Sequence, residues 1–104
     1  MRAALSDAGS LLADALTQTA LRSGCPATIL GSRSEGWASA TFAGARHAIT
    51  LGADACPALD RWLATLPEAE LPLRGHLVAD LAVTARRQRQ AAVEFDLEVL
   101  TVEA

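Results

Sequence analysis

The chain has 104 residues, of which 51% are hydrophobic, 20% charged and 4% aromatic, and its formal net charge is −3. This length predicts one domain over residues 1–104, and the apolar content excludes an intrinsically disordered chain. The acidic balance also argues against a nucleic-acid binder, general or sequence-specific, because no basic excess is available to neutralise phosphates. Every basic residue is arginine and about a fifth of the chain is alanine. The composition therefore indicates a single domain with a core of mostly small side chains.

Nothing in the sequence predicts export or membrane insertion. The N-terminal segment does not resemble a signal peptide, because Asp7 and Asp14 interrupt its apolar residues. No run approaches the roughly 18 apolar residues of a membrane-spanning helix. Cys25 and Cys56 do not form the disulfide framework of a small secreted protein. These features predict a cytoplasmic protein without a membrane partner.

The first predicted element is an amphipathic helix over residues 4–22. Apolar residues recur at spacings of three and four from Leu5 onward. Gly24 and Pro26 should end the helix, because glycine favours the left-handed cap conformation and proline cannot continue a helix.

Three short strands are predicted next. Residues 27–31 form the first strand, and a polar loop follows to residue 36. Between residues 37 and 51 the apolar side chains alternate, and the two halves share a face only if Phe42 lies opposite His47. That register centres the turn on Gly44, where glycine suits a type II′ hairpin.

The second predicted helix starts at Asp54 or Ala55, with Pro57 near its first turn, and ends at Pro67. Proline is tolerated in the first turn of a helix, where its missing N–H costs least. The apolar stripe has helical spacing and consists of Leu59, Trp62, Leu63 and Leu66. Trp62 is therefore predicted to be a core residue.

A long hairpin is predicted at the end of the chain, from alternating apolar residues on both sides of an arginine-rich turn. The two strands show Val83 and Phe95 on one face only if the loop has an odd number of residues, and the absence of Gly and Asn also disfavours a two-residue turn. Near the end, Leu100 and Val102 share the side of Glu98. Either a bulge or burial against a partner would explain this change.

These elements predict an α+β fold in the order α-β-β-β-α-β-β, with two helices packed on a mainly antiparallel sheet and a long C-terminal β-hairpin. The candidate nucleophiles, bases and soft metal ligands are Cys25, His47, Cys56 and His76. They are scattered along the chain without the spacing of a metal-binding motif. No catalytic, cofactor-binding or metal-binding residue is predicted, and an enzyme is the least favoured class.

Two groups of charged residues have alternative interpretations. Arginines at the predicted hairpin tip either keep an exposed turn soluble or bind carboxylates or phosphates of another molecule. Acidic residues at strand spacing are either a solvated face or a charge-complementary subunit contact. With Trp37 as a potential interface anchor, the candidate subunit or partner interface consists of Trp37, Arg86, Arg87, Arg89, Glu94, Asp96, Glu98, Leu100 and Val102.

A family resemblance rests on segments spread over most of the chain. After the N-terminal helix these are Ile29–Gly31, Trp37–Ser39, Gly44–Leu51, Leu66–Pro67 and a final hairpin from His76–Leu81 to Phe95–Leu100. In this order they resemble the phage tail-completion or tail-terminator family, whose small α+β members also occur in prophages and gene transfer agents. This chain is shorter than is typical of that family around the second helix and its connections.

The resemblance implies a structural protein without catalytic residues. Members of the family typically form a homo-oligomeric ring, often a hexamer, that caps the tail tube and joins it to the head. The implied partners are the major tail tube protein and head-completion proteins, in the host cytoplasm and in the assembled particle. The alternative is a cytoplasmic α+β module that binds a protein or a small ligand, without catalytic activity.

Overall fold

The protein is described from a computed structural model that covers the backbone of residues 3–104 and the side chains from residue 8. The N-terminal residues Met1 and Arg2 and the side chain of Leu5, which entered the predictions above, lie outside the described part. The elements are α1 (Ala3–Arg22), β1 (Ala27–Ala38), β2 (Ala43–Asp54), α2 (Pro57–Thr65), a 3₁₀ turn (Leu66–Glu68), β3 (His76–Arg89) and β4 (Ala92–Glu103). Neither of the described α-helices is long and apolar enough to cross a membrane.

The predicted α+β class is confirmed: two helices cover one face of a four-stranded antiparallel sheet of order β1-β2-β4-β3. The molecule is elongated, with extents of 45 × 21 × 19 Å. The core lies between helices and sheet, and its largest fully buried side chain is Phe95. Trp62 meets the Phe95 ring edge-on, with centroids 5.9 Å apart. The indole of Trp62 also donates a 2.9 Å hydrogen bond to Thr19 of α1, which joins the two helices.

The first half of the sheet has two long strands where the sequence predicted three short ones. The polar segment 31–36 is not a loop but part of β1, and Ala38 pairs with Ala43. The turn occupies residues 39–42, where the Ser39 hydroxyl accepts a hydrogen bond from the Phe42 N–H. Gly44 therefore lies inside β2 and not at the turn. As a strand at the sheet edge, β1 has most of its side chains exposed, which is why its sequence looked like a loop.

The C-terminal hairpin is confirmed. Its turn consists of only two residues, Gln90 and Ala91, although the absence of Gly and Asn had disfavoured a two-residue turn. Gln90 takes the required positive φ of 59°. The register change that an odd-numbered loop would have supplied comes from an irregularity in β3 at Thr84, and β3 has a second irregularity at Ala79. Such bulges move following side chains to the other face, so Leu81 and Val83 both face the core.

The change of face near the C-terminus has a different cause from the predicted bulge. The pairing of β4 with β2 is uninterrupted from Ala92 to Val102. Core-facing positions continue through Val99 to the fully buried Thr101. Leu100 and Val102 therefore belong to the face that carries no helix, on which they are half-buried.

Candidate interaction surface

The sheet face opposite the helices carries most of the candidate residues, and we call it the open face. Antiparallel partners point to the same side of a sheet, so the pairing registers define rows of neighbouring side chains across it. From the C-terminal end of β4 toward its N-terminal end, these rows change from apolar to charged. The open face therefore has three zones with different chemistry.

The first zone is a row of apolar residues across all four strands. Trp37 pairs with Gly44, Gly44 with Val102, and Val102 with Leu77. Because Gly44 has no side chain, the Trp37 indole lies across it, 3.0 Å from the position that a Cβ would take. We call these four residues the apolar row. Leu77 is 61% exposed, so this row presents an apolar side chain to solvent at the β3 edge of the sheet.

The zone at the other end is a network of paired charges. Arg87 donates two 3.0 Å hydrogen bonds to the two carboxylate oxygens of Asp96. The Thr50 hydroxyl donates to the same carboxylate at 2.9 Å. Glu94 lies 3.6 Å from Arg87 and 3.3 Å from Arg89. Arginines and acids that were candidates for a contact with a partner thus pair with each other within the chain.

This pairing shifts the proton affinities in the network. Hydrogen bonds from Arg87 and then from Thr50 hold the pKa of the Asp96 carboxyl below its usual value, and the hydrogen bond to Asp96 raises the pKa of the Arg87 guanidinium. Both groups therefore keep their charges at neutral pH. The stabilisation from Asp96 is present above its ordinary value of 3.8 and is lost as the pH falls through the lowered pKa.

Between these zones lies an open groove of about 590 Å³. A second groove of about 380 Å³ continues it and shares Arg33, Ala48 and Glu98. The side chains on the groove that carry charge are Arg33, Glu35, Arg46, Asp80 and Glu98. All five are exposed, and none has an ion-pair partner among the side chains described from residue 8 onward. The groove is the part of the open face where charges remain available to another molecule.

The structure brings some of the predicted interface residues together and separates others. Trp37 and Val102 share the apolar row, and Leu100 lies in the next row beside Arg46. Arg86 points to the helix side instead, where it binds Asp60 of α2 at 2.7 Å. Sequence reasoning missed Leu77 and Asp80, because the bulge at Ala79 changes which β3 side chains share a face. It missed Arg33 because the segment that contains it was predicted as a loop.

On the helix side of the sheet, His47 forms the centre of a buried hydrogen-bond chain. Its Nδ1 lies 2.7 Å from the Ser34 hydroxyl and its Nε2 lies 2.9 Å from the Thr101 hydroxyl. Thr101 donates to the carbonyl of Ala45 at 3.4 Å. The Thr101 oxygen can therefore accept from Nε2–H, and Nδ1 can accept from Ser34. A neutral imidazole satisfies the whole chain and links β1, β2 and β4.

The contact between Ser34 and His47 has the distance of a nucleophile and its base, but its surroundings indicate a structural role. A Cβ on Gly9 of α1 would lie 3.3 Å from the Ser34 hydroxyl oxygen, so the helix covers it. His47 is itself only 2% exposed, and Ser34 is half-buried. The cysteines are free thiols, and burial raises the pKa of Cys25. From residue 8 onward, no three potential metal ligands lie together.

Burial first, and His76 second, hold the pKa of His47 below its ordinary value of 6.5. The unfolded chain therefore takes up this proton before the folded chain does. We expect the free energy of unfolding to fall as the pH is lowered from 6.5 through the depressed pKa, by at most about 1.4 kcal/mol per pH unit. Urea unfolding between pH 7.5 and 5 measures this slope.

The variant His47→Gln cannot be protonated and should lose most of the slope in this range. The matched variant His76→Gln removes the half-buried histidine nearby and should keep most of it. Equal slopes for the wild type and His47→Gln would show that His47 is not held neutral in the folded protein.

Comparison with known proteins gives no further guide to this surface: a scan against protein-family models and searches of curated proteins and of solved structures each found no match. Functional inference for this chain therefore depends on its own geometry and chemistry.

Proposed function

We propose that the chain is a structural assembly protein that forms a homo-oligomer through the edges of its sheet and has no catalytic activity. The observation that carries this proposal is that the sheet ends on both sides in a long unpaired strand. Apart from one bond at the first residue of β3, no other backbone segment within residues 3–104 is hydrogen-bonded to the outer side of β1 or β3. Unpaired edges are templates for adding a strand from another chain.

Both edge strands also carry exposed apolar side chains. Leu30 on β1 is 54% exposed and Leu77 on β3 is 61% exposed. Natural edge strands are usually short, charged or interrupted by bulges. Both of these strands carry charges and bulges, but they are long, with 12 and 14 residues. Association along the edges would remove these leucines from water, which is favourable. The exposed leucines therefore favour an interface along the edges over a monomer.

The strand directions favour a repeating contact of one kind. With all neighbours antiparallel in the order β1-β2-β4-β3, β3 of one copy runs antiparallel to β1 of a second copy in the same orientation. Joining these two different edges is a heterologous contact, which closes into a ring when the rotation between copies permits. A ring of this kind agrees with the resemblance to tail-completion and tail-terminator proteins. We therefore propose that the oligomer caps a tail tube and contacts the head-completion proteins of a phage-like particle.

The groove on the open face supports a second candidate function, a binding module without catalytic activity. Its volume of about 590 Å³ is within the range of ligand sites, and it carries charges of both signs. It is an open depression whose floor includes the small side chain of Ala48, however, and ligand sites are usually enclosed and largely apolar. The groove therefore favours recognition of a polypeptide surface over a small molecule.

Assembly through the edges predicts that Leu77→Ser weakens self-association. The lost burial of one leucine side chain corresponds to about 1.5–3 kcal/mol, or roughly tenfold to hundredfold in the association constant. Mass photometry and sedimentation velocity measure the oligomer, with the chain alone and after addition of the major tail tube protein.

The control is Leu21→Ser, which changes a leucine of similar exposure, 58%, near the end of α1. This variant should assemble as the wild type does. A wild-type chain that stays monomeric at high concentration, both alone and with tail tube protein, would overturn the proposed function. Equal assembly of Leu77→Ser and wild type would exclude the β3 edge from the interface.

A further inference from the structure

The two edge strands of the sheet carry opposite charges that have no partner in the chain. On the open face, β1 presents Arg33 and Glu35 and β3 presents Asp80, and all three residues are exposed. The other charged residues of β3 on the open face form ion pairs within the chain, since Arg87 binds Asp96 and Arg89 binds Glu94. Among the described side chains, Asp80 is thus the remaining unpaired charge on the open side of β3.

We propose that Arg33 of one copy pairs with Asp80 of the next copy, and that this pair sets the register of the edge-to-edge contact. The inference rests on the proposed homo-oligomer and assigns the residues that select its geometry. The occupant of each edge is a second copy of this chain, because the unpaired Arg33 on β1 is complementary to the unpaired Asp80 on β3, whereas Glu35, the other unpaired charge on the open side of β1, repels Asp80. Complementary charges of this kind suppress wrong registers and wrong partners.

The row geometry determines which residues can meet. Within one copy, Glu35, Arg46, Leu100 and Asp80 form one row, and Arg33, Ala48, Glu98 and Ala82 form the next. If a second copy continued the sheet without stagger, Asp80 would lie opposite Glu35, and like charges directly opposite each other are destabilising.

A stagger of two residues removes this repulsion. It places Asp80 opposite Arg33 and brings Leu77 diagonal to Trp37, within reach of a large aromatic side chain. Closing a sheet into a ring or barrel requires a stagger between strands, so the register that the charges favour is also compatible with closure. The bulge at Ala79 sets the face of both contact residues on β3, because it puts Leu77 and Asp80 on the same side of the sheet.

Charge reversal tests the pair directly. Arg33→Asp and Asp80→Arg each replace an attraction with a repulsion, and each variant alone should associate about a hundredfold more weakly than the wild type. Arg74→Asp makes the same charge change at an exposed residue of the loop before β3 and should leave association unchanged. Far-UV circular dichroism and thermal unfolding check that every variant is folded.

Mixing the two variants provides the decisive measurement. In an equimolar mixture the reversed β1 edge of one variant meets the reversed β3 edge of the other, and their charges attract again. The two unchanged edges, with Arg33 and Asp80, also meet. Assembly should therefore return, with the two variants alternating and an even number of copies, which native mass spectrometry of mass-labelled chains resolves. The double variant Arg33→Asp with Asp80→Arg should also assemble alone.

The outcomes separate this inference from the proposed function. If the wild type assembles and both single variants assemble equally well, the pair is wrong while the edge-mediated oligomer stands. If folded single variants are monomeric and their mixture stays monomeric, Arg33 and Asp80 are not in contact, and the pair is again overturned. If the wild type fails to assemble with or without tail tube protein, the proposed function itself falls.

Discussion

Replacing Phe95 by alanine should lower the free energy of unfolding by about 3–5 kcal/mol, a large share of the roughly 5–15 kcal/mol that stabilises a domain. Phe95 is fully buried at the centre of the core cluster and contacts Trp62 edge-on. The loss combines the transfer free energy of the ring with the cavity that alanine leaves. Many other core positions hold alanine or leucine, and the Trp62 indole is held by its hydrogen bond to Thr19, so the cavity should be filled only in part.

Denaturant unfolding followed by tryptophan fluorescence, to which Trp37 and Trp62 both contribute, measures the change. The matched control is Phe42→Ala, which removes the same ring from a turn where it is 58% exposed. This control should change the unfolding free energy by less than about 0.5 kcal/mol. Similar losses for the two variants would mean that Phe95 does not occupy the centre of the core.

The helices and the core could be predicted because they depend on local chemistry. Helical spacing of Leu59, Trp62 and Leu63 predicted a buried stripe, and these side chains are buried. Gly24, at φ 84°, ends α1 as its sequence position indicated. Such signals lie within a few residues of the structure that they determine, so one sequence is sufficient to find them.

The strand boundaries could not be predicted in the same way, because an edge strand has no alternating burial to reveal it. Segment 31–36 is polar on both faces, yet it pairs with β2 throughout. The two bulges of β3 leave no sequence signal such as glycine. The bulge at Ala79 nevertheless places Leu77 and Asp80 on the same face, which determines the composition of the candidate surface.

For the candidate surface, residue types were easier to predict than pairings. The arginines and acids of the last hairpin were recognised as complementary, but the structure pairs Arg87 with Asp96 and Glu94 in the same chain. Long-range register determines such pairs, and it follows from a turn and two bulges that the sequence did not locate. Among the unpaired charges on the groove, Glu98 was a predicted interface residue, whereas the others had been assigned to a loop or not singled out.

Gly44 shows how one backbone contact links the core to the open face. A Cβ at this position would fall on the backbone carbonyl of Thr101 in the neighbouring strand. We expect Gly44→Ala to destabilise the fold by about 3 kcal/mol, at the upper end of the cost of overpacking, because backbone atoms cannot move aside as a flexible side chain can. Thr101 also binds His47 through its hydroxyl, so its displacement should weaken the buried chain as well.

The matched control is Gly31→Ala in β1, where a new Cβ meets no atom within 4 Å. A strand glycine is less favourable than alanine by roughly 0.5–1 kcal/mol, so this control should be neutral or slightly stabilising. Urea unfolding compares the two variants. In a Trp62→Phe background, Trp37 fluorescence reports on the apolar row because the indole lies across Gly44. If Gly44→Ala is as stable as Gly31→Ala, then β2 and β4 do not approach as closely as described, and the apolar row has a different geometry.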